Sequence, residues 1–426
     1  RNEALVASRG EDSLTVVDLA TRRPVRSIWV GDEVASAVVT SDGATAIVAL
    51  PNDRKVAFVD LQRATVMGEA SVGLDPTHLA LTPDGQRVYV AGRRTGDATP
   101  PEPNDARGAD ISEVSVARRQ VDRTIHSVGA VIGGLAVSPD GRRLFVSATR
   151  VNAVGAALAT ESDRAFRHTL IAYDVSGSTV TEVLARDVTR SVPGVVAPIP
   201  EPPPPPVDGG VMPPTDGGAM PIADAGPRDA AAPTDASLDP RAELLARRVV
   251  AMHGVVVRGN DLWVAAEATD LVLRFDATTL IEQDRYAAPG RPRALSLGAD
   301  GTVYAYGHQG FTVTAVAPSG MTFTSRTSAP LAQDPRPEVI ARGMSFFTGP
   351  GLRTPAGPGR VIAGDTWSCS SCHTDGLSDL TVWQAGPIAS HRYASRAFNL
   401  LEGTWPLGWQ GYLSNVVNYS YTVTGN

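Results

Sequence analysis

The sequence predicts a mainly β fold, built from repeated four-stranded units and followed by a small α-helical segment. Three observations support this prediction. Turns containing Asp-Gly recur between residue 1 and about residue 328, a short apolar stretch follows each turn, and an apolar residue followed by Asp recurs between them. The period is near 40 residues, because Asp18 and Asp60 are 42 residues apart, as are Gly43 and Gly85. Strand, Asp-Gly turn and strand together are typical of a β-hairpin.

Four short strands repeated every 40 residues or so indicate a β-propeller of six or seven blades. Five complete blades are predicted to begin near residues 35, 77, 131, 251 and 292, and the piece from Ala4 to Val30 supplies three strands of another. Because this first blade lacks its inner strand, either a later segment closes the ring or the chain is cut at its N-terminus. The recurring turns are Ser41-Asp42-Gly43, Pro83-Asp84-Gly85, Pro139-Asp140-Gly141 and Ala299-Asp300-Gly301, with Gly259-Asn260-Asp261 as a variant.

The turns and the strands that follow them are interpreted as scaffold, with no catalytic role. Two of these turn-and-strand sequences are PDGQRVYVAG at Pro83–Gly92 and PDGRRLFVSA at Pro139–Ala148. They resemble the YVTN-type repeats of bacterial surface-layer propellers. Two inserted loops, at about 95–110 and 152–167, lie between strands and are candidates for shaping a binding face.

A Pro-, Ala- and Gly-rich stretch interrupts the repeat at about 193–240, and it includes the proline run Pro202 to Pro206. Such a segment buries too little apolar surface to offset its ordering entropy, so it is predicted to be a disordered insertion. It is either a tether or a loop that tolerates changes in length. The predicted domains are therefore 1–330, the propeller with this insertion, and 331–426, a helical domain that the sequence indicates is truncated at its C-terminus.

Composition excludes some classes of function. The net charge of −7 and the absence of basic clusters argue against a nucleic-acid partner. No run of about 20 apolar residues exists, so no transmembrane helix is expected. The chain begins at Arg1 without an initiator Met, and we therefore expect a processed or trimmed product whose leader has been removed.

The strongest chemical signal is Cys369-Ser370-Ser371-Cys372-His373, which contains both cysteines of the chain. C-x-x-C-H is the attachment signature of a c-type haem: Cys369 and Cys372 would form thioethers with the porphyrin, and His373 would be the proximal iron ligand. Two alternatives remain, a redox-active dithiol and a zinc site. A dithiol needs no adjacent histidine, and zinc would need further ligands at similar spacing.

A helix is predicted at Pro335–Phe347 just before this motif, with Val339, Ile340, Met344 and Phe347 forming an apolar stripe and Gly349 ending it. A helix followed by C-x-x-C-H suits an α-helical cytochrome c. The segment 338–411 also resembles the bacterial di-haem cytochrome c peroxidase and MauG family. The matching features are Arg342-Gly343, Phe346-Phe347, the haem motif, Asp375-Gly376, Trp383, Arg396, Asn399-Leu400, Pro406, Trp409 and Gly411. The chain holds a single C-x-x-C-H, so one haem c per chain is expected.

The sixth iron ligand distinguishes an electron carrier from an enzyme, because an open position can bind peroxide. No methionine follows Cys372. His391 is the tentative distal ligand, in a region where the peroxidase family can place one, with a surface or core histidine as the alternative. Met344 is interpreted as a packing residue. His78, His126, His168, His253 and His308 fall in the repeats and are interpreted as structural or exposed.

These observations lead to one main hypothesis and two alternatives. The main hypothesis is a secreted c-type haem protein in the periplasm or at the cell surface, acting in electron transfer with a redox partner protein or a small donor or acceptor. The resemblance to the peroxidase and MauG family implies oxidoreductase chemistry as the enzymatic form of this hypothesis. The first alternative is a cell-surface propeller that binds a partner and carries an auxiliary haem. The second is a fragment of a larger multi-haem oxidase.

Overall fold

A computed structural model describes residues 2–73, 75–92, 109–151, 166–195, 244, 247–349, 382–384 and 392–394 of the chain. It is a six-bladed β-propeller, mainly β as the sequence predicts. Blade 1 has three described strands and blades 2 to 6 have four. The strands are β1 Glu3–Ser8, β2 Ser13–Asp18 and β3 Arg23–Trp29; β4 Ser36–Val39, β5 Thr45–Leu50, β6 Lys55–Asp60 and β7 Thr65–Ser71; β8 His78–Leu81, β9 Arg87–Gly92, β10 Ala109–Ser115 and β11 Gln120–Gly129; β12 Val131–Val137, β13 Arg143–Val151, β14 Phe166–Asp174 and β15 Thr181–Asp187; β16 Met252–Arg258, β17 Asp261–Ala266, β18 Leu271–Asp276 and β19 Glu282–Ala287; β20 Pro292–Leu297, β21 Val303–Gly307, β22 Thr312–Ser319 and β23 Thr322–Thr327.

Each blade is an antiparallel meander, in which every strand pairs with the next one along the chain. The first strands of blades 2 to 6 contact one another in succession and therefore surround the axis of the ring. These inner strands begin at the five places that the sequence period predicts, so that prediction is confirmed. Blade 1 lacks the inner strand among the described residues, also as predicted, because β1 occupies the second-strand position.

Two kinds of turn lie at one end of the blades, one between the first and second strands and one after the third strand. Most of them are built on Asp. Between the first and second strands, the Asp84 carboxylate accepts hydrogen bonds from the Thr82 hydroxyl (2.5 Å) and from the Gln86 amide (3.0 Å). After the third strand, Asp276 accepts bonds from the backbone amides of Thr278 and Thr279. Equivalent bonds are made by Asp18, Asp42, Asp60, Asp140, Asp174 and Asp300. These carboxylates are used by their own turns, which supports their interpretation as scaffold.

The core lies between neighbouring blades, where facing sheets bury aliphatic and aromatic side chains. Five clusters join blade 1 to 2, 2 to 3, 3 to 4, 4 to 5 and 5 to 6. Between blades 5 and 6, Trp263 is 1% exposed and its ring contacts the Phe323 ring edge-on, with centroids 4.9 Å apart. Such an edge-to-face pair adds about 1 kcal/mol to the free energy gained by burial.

The junction between blades 6 and 1 differs from the other five. Val6 in blade 1 is 45% exposed, whereas its counterparts in blades 2 to 5 are at most 1% exposed. Tyr304 in blade 6 is 41% exposed, whereas its counterparts in blades 2 to 5 are at most 3% exposed. The counterparts of Val6 are Val48, Val90, Val146 and Val264, and those of Tyr304 are Ile47, Tyr89, Phe145 and Trp263. Within the described part of the chain, this junction therefore has no packed core.

Glycines allow the inner strands to approach closely on the side of blades 4 to 6. A Cβ atom at Gly133 would lie 1.7 Å from the carbonyl oxygen of Met252 in the next inner strand. Gly254 has φ +55° and would place a Cβ atom 2.9 Å from the carbonyl oxygen of Arg293. Both glycines are the extra residues of β-bulges, since the register of each strand shifts at that point.

The described chain after blade 6 contains one helix, α1, at Glu338–Thr348, and a two-stranded sheet formed by β24 Val382–Gln384 and β25 Arg392–Ala394. The helix was predicted from Pro335; it begins three residues later because Pro337, in extended conformation, is its N-cap. It ends before Gly349, as predicted. Ile340 is 51% exposed, so it does not belong to a buried stripe. No helix of the described chain is long and apolar enough to span a membrane.

The ends of the Pro-rich segment are joined through blade 5. The Arg285 side chain is fully buried and binds Glu282 at 2.5 and 2.7 Å. The same guanidinium donates to the carbonyl oxygens of Ser191 (2.5 Å) and Arg247 (2.7 Å), and Ser191 also bonds to Glu282 through its hydroxyl. One buried ion pair thus holds both flanks of the insertion. Residues 196–243, the inserted loops 93–108 and 152–165, and the haem motif lie outside the described residues.

We expect Gly133→Ala to lower the free energy of unfolding by about 1–3 kcal/mol or more, because the added methyl group meets backbone that cannot move without separating two blades. Urea unfolding followed by circular dichroism measures the change. The control is Gly10→Ala, where nothing lies within 4 Å of an added Cβ atom. Equal stability of Gly133→Ala and the wild type would show that these strands do not approach so closely.

The Asp turns predict a loss of stability in acid. Hydrogen bonds from Thr82 and from the Gln86 amide hold the pKa of Asp84 below its usual value. Such a carboxylate stabilises the fold above the unfolded-state pKa of about 3.9, and this contribution is lost as the pH falls through the lower folded-state pKa. We therefore expect Asp84→Asn to reduce the change in urea midpoint between pH 5 and pH 3. Asp122→Asn, outside these turns, is the control, and an unchanged pH dependence in Asp84→Asn would contradict the assignment.

Candidate functional site

The topology separates two faces of the propeller. Because the strands alternate in direction, the Asp turns all lie on one face, which we call the lower face. The connections from second to third strand and from one blade to the next lie on the other, the upper face. All three long inserted stretches, at 93–108, 152–165 and 196–243, connect strands that end on the upper face. Insertions confined to one face indicate that this face carries the function.

A cavity of about 540 Å³ occupies the upper half of the central channel. Its wall is formed by the upper ends of the inner strands of blades 2 to 6 and by the ends of neighbouring second strands. Most of the lining is small or apolar. The ionisable side chains that line it are Asp75, His78, Arg293, Tyr306 and His308. A concave apolar site with a few polar groups is the usual form of a small-molecule site.

Behind the wall, Glu267 joins two histidines from different blades. Glu267 starts a short 3-10 turn, Glu267–Thr269, between β17 and β18, and is 2% exposed. His253 on β16 contacts one carboxylate oxygen through Nε2 at 2.9 Å, and His308, after β21 in blade 6, contacts the other through Nε2 at 2.6 Å. Because an ionised carboxylate can only accept hydrogen bonds, both Nε2 atoms carry a hydrogen and donate it to Glu267.

The surroundings of Glu267 keep it ionised. Burial by itself would raise the pKa of this carboxyl group. The attraction of His253, the hydrogen bonds from His253 and His308, and the charge of Arg293 outweigh burial, so the pKa of Glu267 lies well below its usual value. Among the described residues, Nδ1 of His253 finds no hydrogen-bond partner, although it is buried. Among the described residues, the His253 side chain therefore bonds to Glu267 alone.

Arg293 reaches the channel through a β-bulge. The register of β20 shifts between Pro292 and Ala294, so Arg293 is the extra residue of this strand. Gly133 and Gly254 hold the same position in blades 4 and 5, where the next inner strand leaves no room for a side chain. Blade 6 is followed by blade 1, which has no inner strand among the described residues. A long side chain can therefore be accommodated at this bulge.

Helix α1 is attached to the upper face beside this cluster. The Gln309 amide donates to the Thr348 hydroxyl (3.0 Å), and Arg336 binds the Gln309 carbonyl oxygen (3.3 Å). Arg336 also contacts the sulfur of Met344, which is half-buried. The C-terminal end of α1 thus lies next to the residue that follows His308.

The predicted haem residues Cys369, Cys372 and His373 and the tentative distal ligand His391 lie outside the described residues. Their roles stay predictions. The histidines of the repeats are placed: His168 is fully buried beside Thr149, and His126 is exposed and bonds to Asp110 at 2.9 Å. These two agree with the interpretation as structural or exposed residues.

The cluster of Glu267, His253 and His308 was not found from the sequence. Its members are 14 and 41 residues apart and come from three separate strand ends, so no local spacing marks them. The sequence analysis interpreted His253 and His308 as structural or exposed residues of the repeats. In the described chain, no group of three or more His, Cys, Asp or Glu residues is arranged to hold a metal ion.

No protein-family model matches this chain, and no curated protein matches it either. Solved structures do resemble it. A protein of unknown function from Desulfotomaculum acetoxidans has a TM-score of 0.52 at 12% identity, with 79% of this chain and 83% of that chain aligned. Kuenenia stuttgartiensis hydrazine synthase has a TM-score of 0.44 at 16% identity over 75% of this chain and 93% of that one. A chain of the mitotic checkpoint complex has 0.47 at 13% identity, over 78% and 75% respectively. At these identities, the first similarity shows the fold alone.

We expect Glu267→Gln to cost about 3–5 kcal/mol of unfolding free energy at pH 7, because it removes the buried charge that bonds to both imidazole groups and attracts Arg293. Since the pKa of Glu267 is lowered, its contribution is present above about pH 4.5 and is lost as the pH falls through the folded-state value. Thermal unfolding at pH 7 and in acid measures both effects. The control is Glu182→Gln, whose exposed pair with Arg150 (2.9 Å) contributes about 0–1 kcal/mol. Equal losses in the two variants would contradict a buried structural charge at Glu267.

Proposed function

We propose that this chain is a secreted c-type haem protein that exchanges electrons with a redox partner. The observation that carries the proposal is the pentapeptide Cys369-Ser370-Ser371-Cys372-His373. Its two thiols and one imidazole are the complete donor set for covalent attachment of one haem and for proximal ligation of its iron. A bound haem supplies one-electron redox chemistry.

Helix α1, which precedes the haem motif in the sequence, is attached to the propeller. Thr348 and Ser345, at the end of α1, are bonded to Gln309 and Arg291 on the upper face. Cys369 follows Thr348 by 21 residues. These anchors support a haem segment that starts from the face carrying the insertions and the cavity. Because haem is attached to C-x-x-C-H outside the cytoplasm, the periplasm or the cell surface is the proposed location.

The resemblance of 338–411 to the cytochrome c peroxidase and MauG family adds an enzymatic form of the proposal. Peroxide chemistry requires an open or displaceable sixth position and a nearby acid–base group. His391 is the residue proposed on the distal side. If His391 ligates the iron permanently, electron transfer is the function; if it does not, turnover of peroxide becomes the function to test.

Expression with haem-maturation machinery tests the proposal. We expect a pyridine haemochrome spectrum of c type and a mass increase of one haem on the peptide that contains Cys369 and Cys372. Cys369→Ala with Cys372→Ala should abolish covalent attachment, whereas His373→Ala should retain thioether-bound haem with an altered spectrum. His391→Ala should change the spectrum if His391 is the sixth ligand, and His126→Ala, in the propeller, should not. Matured protein without covalent haem would rule the proposal out.

A second candidate function is binding of a partner or ligand by the propeller. The upper-face cavity of about 540 Å³ favours it, since concave, mostly apolar sites with a few polar groups are the usual form of small-molecule sites. Binding that survives replacement of both cysteines would establish the propeller as a binding module with an auxiliary haem. Binding that is lost with the haem would assign recognition to the haem segment.

A further inference from the structure

We infer that residues 419–424 of this chain supply the inner strand of blade 1 and thereby close the propeller ring. The segment pairs with β1 and covers the apolar side chains that are exposed where blade 6 meets blade 1. This closure concerns the propeller and does not depend on a haem at Cys369 and Cys372. Residues 419–424 lie outside the described residues. Two described surfaces and one sequence pattern lead to them.

The first surface is the free edge of β1. In blades 2 to 6, the second strand lies between the inner strand and the third strand. Strand β1 holds the second position in blade 1, and among the described residues it pairs with β2 alone. One row of its backbone N–H and C=O groups therefore faces the place of an inner strand. Such an edge is a template for the addition of a further strand.

The second surface consists of the two sheet faces at the junction of blades 6 and 1. Val6 on β1 is 45% exposed, and Tyr304 and Tyr306 on β21 are 41% and 39% exposed. The two tyrosines point away from blade 5, because Val303 and Ala305, which alternate with them, belong to the core between blades 5 and 6. A strand beside β1 would place its own side chains between Val6 and the two rings. The junction therefore favours a strand with apolar or aromatic residues on the side of blade 6.

The sequence pattern is that of the inner strands of blades 2, 3 and 4. Each of these strands ends on an apolar residue, followed by Thr or Ser, one further residue and Asp: Val39-Thr40-Ser41-Asp42, Leu81-Thr82-Pro83-Asp84 and Val137-Ser138-Pro139-Asp140. In each, the hydroxyl group donates to the Asp carboxylate at 2.5 or 2.6 Å. The same order recurs after blade 6 as Val423-Thr424-Gly425-Asn426. Asn in place of Asp retains a side-chain oxygen that accepts this hydrogen bond.

The pattern also gives the register with β1. In blade 2, Ala37 lies two residues before Val39 and pairs with Val48 on the second strand. Val6 holds the position of Val48 in blade 1, and Tyr421 holds that of Ala37. Tyr421 therefore lies opposite Val6, on the side of blade 6. A shift by one residue would turn every side chain of the segment to the other face.

The alternation within 419–424 fits this register. Tyr419, Tyr421 and Val423 face blade 6, whereas Ser420 and Thr422 face blade 2. The inner strands of blades 3 and 4 show the same preference, with larger apolar residues towards the preceding blade and alanine towards the next. The larger residues are Leu79, Leu81, Leu135 and Val137, and the alanines are Ala80 and Ala136.

The path of the chain is compatible with this placement. The inner strands of blades 2 to 6 run from the upper face to the lower face, where the Asp turns lie. Helix α1 is bonded to the upper face through Thr348, and Tyr419 follows Thr348 by 71 residues. This length is sufficient to reach blade 1 across the upper face. A segment that enters the junction from the upper face is antiparallel to β1, as the other inner strands are to their second strands.

Hydrogen exchange of the full chain, followed by mass spectrometry, tests the closure. Peptides that cover 419–424 and β1 should both exchange roughly tenfold or more slowly than an unstructured chain. In a chain that ends at Asn418, the β1 peptide should lose protection several-fold, because its edge amides lose their acceptors. Protection of β18 (Leu271–Asp276) should stay the same, which shows that the shortened chain is folded. Exchange of 419–424 at the unstructured rate, or a β1 peptide unaffected by the truncation, would overturn the inference.

Engineered cysteines test the register, in a chain where Cys369→Ser and Cys372→Ser leave no other thiol. Under mild oxidation, Val6→Cys with Tyr421→Cys should form a disulfide within one molecule, because directly opposed residues of antiparallel strands lie within bonding distance. The matched control is Val6→Cys with Thr422→Cys, whose thiols face opposite sides and should stay reduced. Peptide mapping without reduction identifies the link. Equal yields from the two pairs would contradict the closure, and a disulfide between two molecules would assign the junction to a second copy of the chain instead.

Discussion

The close approach of the inner strands is the constraint on which the rest of this propeller depends. Where β12, β16 and β20 meet, backbone lies so near to backbone that the bulge positions Gly133 and Gly254 admit no side chain. Strand pairing inside each blade joins strands that are consecutive in the sequence, so the same arrangement can recur from blade to blade. The contact between inner strands is not local, and it fixes how far each blade is rotated from its neighbour.

The two faces of the ring differ in role: the lower face carries the turns of the scaffold, and the upper face carries the candidate site. On the lower face, the Asp carboxylates accept hydrogen bonds from the hydroxyl and amide groups of their own turns, so their bonding capacity is largely used. On the upper face, the 3-10 turn after β17 places Glu267 between two imidazoles rather than in a turn of its own. A buried carboxylate that bonds across two blades holds those blades together, and it also orients His308 towards the cavity. The same residue thus serves both stability and the site.

The positions of the blades could be predicted from the sequence because each blade is formed by strands that are consecutive in the chain. The recurring Asp-Gly turns and their flanking strands predict where the inner strands begin, and the structure places them within one residue of those points. The cavity cluster was beyond such reasoning. Glu267 and His308 are 41 residues apart and meet only because one blade is packed against the next. Similarly, nothing in the sequence distinguishes Arg293 from other arginines until the bulge in β20 is known. The haem motif is the opposite case, because its chemistry is contained in five consecutive residues.

One loop of the propeller contacts both the cavity and helix α1. His308 faces the cavity, and Gln309, its neighbour in sequence, holds both the end of α1 through Thr348 and the start of the helix through Arg336. Arg291 likewise bonds to the 3-10 turn through the Ala268 carbonyl oxygen and to α1 through that of Ser345. Helix α1 precedes the haem motif in the sequence, and it is held by residues next to those that line the cavity.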